Sequence, residues 1–228
     1  MADHAHEHDP GHHSHSHGHH HDRGIKAIVR YLRHAPKLWR SEVNAAVVDL
    51  AAPGEGERAL DIGAGMSPGV VLAARRGADV TAVEPTPFMR RVSQLRRMAQ
   101  RGRARITVVD GSAEALPAAD GSIDALWAVN TMHHWTDADR AVAEIARVLG
   151  PGGRVVLVDE CFDDPAHPDY ERFGARRGSH EDHGFHSADV DTMAGRFRDA
   201  GLHEVDTSRT EIAGRPVVSV VIGLGTST

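Results

Sequence analysis

The chain has 228 residues, 40% of them hydrophobic, enough for one globular domain with a short appendage. Only 4% are aromatic and the formal net charge is −6, so neither a base-stacking platform nor a general basic surface for nucleic acid or anionic membrane is expected. The single cysteine, Cys161, cannot form an internal disulfide and suits a reducing cytoplasm. No apolar run approaches the roughly 18 residues of a membrane span, and the N-terminus lacks the apolar stretch of a secretory signal.

Residues 1–24 hold ten of the eighteen histidines, from His4 to His21, mixed with Asp, Ser and Gly. Such a segment has almost nothing to bury, so it is expected to be a disordered tail. Imidazole is a good ligand for zinc, nickel and copper, so weak, multi-site binding of these metals is one expectation. The other is a solvated tail whose charge rises below about pH 6.5. Two helical patterns follow, broken near Pro36. Ile25, Ile28, Val29 and Leu32 form the first apolar stripe, and Val43, Ala46, Val47 and Leu50 the second. Ser41 is the expected N-cap of the second helix, with Glu42 in its first turn and Pro53-Gly54 at its end.

The run from Arg58 to Gly69 reads RALDIGAGMSPG. A short strand (Ala59, Leu60, Ile62) enters a glycine-rich turn (Gly63, Ala64, Gly65), and a helix follows with Ser67 as expected N-cap and Pro68 at its first position. Glycine allows a sharp bend and a close ligand approach. The helix N-terminus offers unpaired amide N–H groups to polar ligand atoms. A dinucleotide fingerprint G-x-G-x-x-G would need its third glycine at position 68, but Pro68 stands there and glycine comes one place later, at Gly69. With Asp61 ahead of the turn, this run resembles motif I of the class I S-adenosylmethionine-dependent methyltransferases, acidic-x-Gly-x-Gly-x-Gly. Ser67 stands where the third glycine is usual.

Val80–Val83 reads as the second strand, closed by Glu84. A carboxylate at that place, ~20 residues past the glycine turn, can accept both hydroxyls of a ribose, a device that dinucleotide folds and methyltransferases share. The helix expected over Pro87–Gln100 carries Arg90, Arg91, Arg96 and Arg97, read as a solvated face. Ile106–Val109 is the third strand, ending in Asp110-Gly111-Ser112. The stretch 113–137, AEALPAADGSIDALWAVNTMHHWTD, closely resembles the methyltransferase type that includes ubiquinone and menaquinone biosynthesis enzymes. Leu116-Pro117 and Asp120-Gly121-Ser122 precede a fourth strand, Ile123–Val129, that ends at Asn130-Thr131-Met132-His133-His134-Trp135.

The resemblance implies an α/β fold: a doubly wound, Rossmann-like sheet of seven mostly parallel strands with an antiparallel last strand. It implies S-adenosyl-L-methionine as cofactor and a small-molecule methyl acceptor. By the same resemblance Asp61 with Gly63, Ala64 and Gly65 would hold the cofactor's amino-acid end. Glu84 and the adjoining Pro85 would hold the ribose, and Asp110 with Gly111, Ser112 and Ala113 the adenine side. Asn130, His133 and His134 would lie beside the methionine end. Helices over 25–54 would cover the cofactor, with Tyr31, Trp39 and Arg40 as candidates to face the site, and 55–228 would be the cofactor-binding domain.

Methyl transfer is mostly positioning, because the cationic sulfonium already activates the methyl group, so no protein nucleophile or metal is required. An oxygen or nitrogen acceptor needs a base as well, and His133 or His134 has the pKa for it near neutrality. The alternative is that both histidines serve only the loop and helix cap.

A helix over Asp139–Leu149 leads through a turn at Gly150-Pro151-Gly152-Gly153 into the fifth strand, Arg154–Val158. Residues 160–186 form a variable insert in which His180, His183 and His186 invite a metal site, with an acceptor pocket or lid as the other reading. Cys161 reads as an inert thiol. A helix opened by Ser187 runs to Ala200, and strands Val205–Ile212 and Pro216–Ile222 are joined by Ala213-Gly214-Arg215. Two other classes stay open: a nicotinamide oxidoreductase, and a non-catalytic cofactor-binding protein whose tail binds or senses metal. The oligomeric state is not legible.

Overall fold

A computed structural model of the chain describes residues 40–173 and 189–223. The first helical stripe, Tyr31, Trp39, the histidine-rich tail, the trio His180, His183 and His186, and Ser187 lie outside the described residues. Helix α1 (Glu42–Ala51) starts where expected, with the Ser41 hydroxyl accepting the Asn44 amide at 3.2 Å. Val43, Val47, Val48 and Ala51 are buried. Its C-terminal carbonyls at Ala51 and Ala52 accept from the Arg154 guanidinium, which also pairs with Glu57.

The sheet alternates with helices. In chain order come β1 (Arg58–Ile62), α2 (Pro68–Arg75), β2 (Asp79–Val83), α3 (Pro87–Met98), β3 (Ile106–Val109), β4 (Ile123–Val129), α4 (Ala138–Val148) and β5 (Leu149–Glu160). One helical turn, α5 (Tyr170–Phe173), then precedes α6 (Val190–Asp199), β6 (Val205–Ile212) and β7 (Arg215–Ile222). The seven strands lie in the order β3-β2-β1-β4-β5-β7-β6, and only β7 runs against its neighbours. This is the seven-stranded, mostly parallel Rossmann-like sheet expected from the sequence. The strand order reverses between β1 and β4, and the crevice at such a switch point is where α/β sheets bind ligands.

Strand alternation divides the core into two layers. Ala59, Val80, Trp127 and Val156 face α1 and α2, while Leu60, Leu126, Val155 and Leu157 face α4 and α6. The central strands are apolar on both faces, as buried parallel strands must be.

Four local expectations change. Ser67 is not an N-cap through its side chain: it is buried with φ +57°, and its hydroxyl bonds to that of Ser93. The Gly150–Gly153 segment is not a turn before a strand. Strand β5 begins at Leu149, and the glycines bulge within it, because Leu149 pairs with Ile123 while Arg154 pairs with Ala125. Helix α6 is capped by Asp189, whose carboxylate accepts the Thr192 amide at 3.1 Å. The β6–β7 hairpin turns on two residues, Ala213 (φ +52°) and Gly214 (φ +73°), with Arg215 already in the strand. Two positive-φ residues make the type I′ turn that suits strand twist.

Candidate active site

The carboxyl ends of β1, β2, β3 and β4 bring together most of the residues singled out in the sequence. After β1 the chain turns through Gly63 (φ +65°), Gly65 (φ +51°) and Ser67 (φ +57°). The two glycines do different work. A Cβ on Gly63 would stand 2.4 Å from the Thr131 methyl of the turn after β4, so glycine is required where the two loops meet. A Cβ on Gly65 would meet nothing nearer than 3.9 Å, so the face of the turn there is open to a ligand.

Gly69 explains the displaced third glycine. A Cβ there would lie 2.9 Å from the Trp127 indole nitrogen, 3.2 Å from Asp61 Oδ2 and 3.2 Å from Val48. Its role is close packing of α2 on the sheet, not contact with a ligand.

Asp61 is buried beneath the turn. Burial first, and then the charge of Glu84, push its carboxyl up to about 8, opposed by the indole of Trp127. Neither Asp61 Oδ2 nor Trp127 Nε1 has a hydrogen-bond partner among the described residues. Glu84, also buried, reaches across from the end of β2. One oxygen accepts the Gly65 amide and the other the Thr86 amide, both at 2.8 Å. Four lone-pair sites minus those two leave capacity for two more donors.

Asp110 is exposed at the end of β3, and one of its oxygens accepts from Arg90 at 2.8 Å. The same Arg90 nitrogen donates to the carbonyls of Glu84 (2.9 Å) and Pro85 (2.7 Å). Gly111 has no room for a side chain between Val83 and Pro117, Ser112 pairs with Ala115, and Ala113 is buried. Two of the four arginines of α3 are therefore not a solvated face. Arg90 ties the β2 and β3 ends together, and Arg96 donates to the Met66 carbonyl at 2.6 Å. Burial of Arg96, and then the nearby Arg75, lower its pKa to about 10.

The other half of the site is the turn after β4, and two residues that sequence reasoning missed hold it. Asp159, buried in β5, accepts the backbone amides of Thr131 (2.9 Å), Met132 (3.3 Å) and His133 (3.1 Å), and pairs with His133 Nδ1 at 2.8 Å. A carboxylate that takes these contacts only accepts, so Nδ1 carries the proton of His133. The neighbouring Glu160 faces the opposite side of the sheet. It accepts from the Asn130 amide at 2.7 Å and donates its own backbone N–H to Asn130 Oδ1 at 2.7 Å. Both polar atoms of the Asn130 side chain are thus committed to β5, and Asn130 is held at φ +57°.

Glu160 also binds His167 Nε2 (3.1 Å) and Arg215 (2.6 Å), and Arg215 reaches Asp169 at 3.3 Å. His167 Nδ1 accepts the Asp169 amide at 3.0 Å, which leaves Nε2 to face Glu160. His133 is only 6% exposed, whereas His134 is exposed, with its ring centroid 4.0 Å from that of His133. Arg40 is exposed just ahead of α1, and Cys161 is buried. Among the described residues no group of three or more His, Cys, Asp or Glu is placed to hold a metal, and no helix is long and apolar enough to cross a membrane.

Residues 60–157 match the family model described as a methyltransferase domain. An uncharacterized methyltransferase of Mycobacterium tuberculosis is 40% identical over 117 residues, covering 51% of this chain and 45% of that protein. The ubiquinone/menaquinone biosynthesis C-methyltransferase of Rubrivivax gelatinosus is 36% identical over 130 residues, covering 57% and 47%. The chain thus spans about half the length of the curated relatives it matches. Among solved structures, geranyl diphosphate methyltransferase in complex with S-adenosylmethionine superposes with a TM-score of 0.63 at 18% identity, covering 89% of this chain and 92% of that one. Sheet order and these matches define the class, the class I S-adenosylmethionine-dependent methyltransferase fold. Within that class, residues 60–157 of this chain are similar to the methyltransferase-domain family.

Proposed function

We propose that the protein binds S-adenosylmethionine across the ends of β1–β4 and transfers its methyl group to a small-molecule acceptor. The observation that carries this reading is the pairing of an open Gly65 turn with a buried Glu84 that already bridges β1 and β2 and keeps acceptor capacity in reserve. The residues fit the cofactor's chemistry. Glu84 beside Pro85 suits two ribose hydroxyls. Asp110 has a second oxygen for an exocyclic amine, flanked by Gly111, Ser112 and Ala113. The buried, unpartnered Asp61 Oδ2 puts a hydrogen-bonding group under the Gly63-Ala64-Gly65 turn, at the place expected for the amino-acid end.

The cofactor supplies an activated methyl group. The chain's task is to orient the acceptor and take its proton where it has one. Of the two candidate histidines, the exposed His134 is the one an acceptor can meet from solvent, and the buried His133 supports it. Asn130 contributes through its backbone, since Glu160 occupies its side chain. The antiparallel β7 and the methyltransferase-domain match favour this reading over the nicotinamide oxidoreductase.

The test is calorimetric titration with S-adenosylhomocysteine. Micromolar binding is expected, weakened at least 30-fold by Glu84→Ala, in line with the loss of about 2 kcal/mol for hydrogen bonds to a charged group, and also weakened by Asp110→Ala. Absence of binding together with binding of NADH would overturn the reading. A second, separate reading rests on the ten histidines from His4 to His21: the tail takes up zinc or nickel weakly at several sites. Equal zinc uptake by the full chain and by a chain lacking residues 1–24 would sink it. The reducing cytoplasm is the compartment that suits a lone, buried Cys161.

A further inference from the structure

Asp159 gathers more hydrogen bonds than any motif residue of the site, yet it lies beyond the recognisable motifs. It is 1% exposed and holds three consecutive backbone amides and one imidazole of the Thr131–His133 turn. All four donors come from 26 to 28 residues earlier in the chain, on the neighbouring strand's end. An uncapped three-residue helical turn, Met132–His134, would leave these amides without acceptors inside the protein, and Asp159 supplies them from β5.

The ring contact has a chemical consequence beyond packing. Accepting from Nδ1 places the lone pair of His133 on Nε2 and fixes the ring plane against which His134 packs at a tilt of 48°. A carboxylate behind an imidazole is the arrangement that holds a histidine in one tautomer.

We infer that Asp159 is a positioning residue of the acceptor side: it sets the Nδ1–H tautomer of His133 and fixes the turn that presents His134, independently of the cofactor-binding half. The inference rests on the proposed methyltransferase reading for its purpose, but its geometry is separate from the β1–β3 ends. Asp159 touches none of the residues assigned to the cofactor's ribose or adenine, whereas the turn it holds carries both candidate histidines. Substituting asparagine keeps the shape but supplies one acceptor oxygen and one NH2 group. The oxygen can serve Thr131 and Met132, and the NH2 group then faces His133, whose backbone amide loses its acceptor and whose Nδ1 must present its lone pair instead. The tautomer reverses.

The experiment is 15N NMR of the histidine-labelled full chain between pH 6 and 8, with His133 assigned by difference from His133→Gln, alongside titration with S-adenosylhomocysteine. The expected wild-type spectrum has a protonated Nδ1 and a lone-pair Nε2 on His133. Asp159→Asn should exchange the two signals while the affinity for S-adenosylhomocysteine stays within threefold. A wild-type His133 protonated at Nε2, or averaging between tautomers, overturns the inference, and so does a tenfold or greater loss of affinity in Asp159→Asn. Should that variant fail to fold, the wild-type spectrum decides alone. If the wild type binds no S-adenosylhomocysteine, the functional reading fails while the tautomer result still stands or falls by itself.

Discussion

The two halves of the site are built by different means. At the ends of β1, β2 and β3 the proposed cofactor-binding groups are backbone amides shaped by glycine, with one acidic residue at or next to each strand end, and each device lies within a few residues of its strand. At the ends of β4 and β5 the turn carrying His133 and His134 has no such local support. It hangs from Asp159 and Glu160, consecutive residues that reach it from opposite faces of the sheet. The first half is a motif that any chain can carry forward as a short string. The second is a junction that exists only when β5 lies beside β4.

That contrast can be broken experimentally, most severely at the junction. Asp159→Ala leaves three amides and an imidazole without their buried acceptor, and a loss of about 3–5 kcal/mol of folding stability is expected by urea unfolding. A change below about 1 kcal/mol would mean that the turn holds itself.

Gly63→Ala attacks the contact between the two halves. The residue sits at φ +65° and its Cβ would press on the Thr131 methyl, so about 2–4 kcal/mol should be lost. Native stability in that variant would show that the loops separate without cost.

Glu160→Gln is milder, because Arg215 keeps Asp169 as a partner and is partly exposed. A loss of about 1–2 kcal/mol is expected, read from the shift in melting temperature. An unchanged melting temperature would show that Asn130 is held at positive φ by something other than this carboxylate.

The last effect is a slope with pH rather than a fixed loss. Asp61 is raised to about 8 in the folded chain, chiefly by burial, against about 3.9 when unfolded, so the folded state keeps a proton through a window in which the unfolded state releases it. Stability from this group therefore falls as pH rises from about 4 to about 8. Asp61→Asn does not titrate, so its melting temperature should gain on the wild type steadily between pH 5 and pH 8. A constant difference across that range would show that Asp61 is ionised throughout.

Much of the framework was legible in the residues. Strands β3, β4 and β6 begin and end where alternation and apolar runs place them, and Ser41, Pro68 and Pro87 open helices where helix-start chemistry predicts. Glu84 and Asp110 stood out because a carboxylate at a strand end, after an apolar run and before a glycine or proline, is a local signal, and Asp61 stood out because it stands two places ahead of Gly63 in the glycine turn. Asp159 gave no such signal. It sits one place before the end of an apolar strand and reads as the start of a loop, and its partners are 26 to 28 residues away. Arg90 and Arg96 were hidden for a related reason: an arginine-rich helix has the same composition whichever face turns inward, and only the docking of α3 on the β1 and β2 turns decides which guanidinium groups meet carbonyls.

Sequence alone therefore determined the strand-turn-helix units, the class of fold and the carboxylates that end its first three strands, because glycine conformations, caps and apolar periodicity act over a few residues. Tertiary structure decided that Gly69 is a packing glycine, that Ser67 is buried against Ser93, that Glu160 takes the side chain of Asn130, and that of two adjacent histidines one is buried against Asp159 while the other is exposed. Each of these depends on groups that are distant in the chain and come within 3–4 Å only when neighbouring strands and helices dock. No local pattern can specify which lone pair meets which proton there.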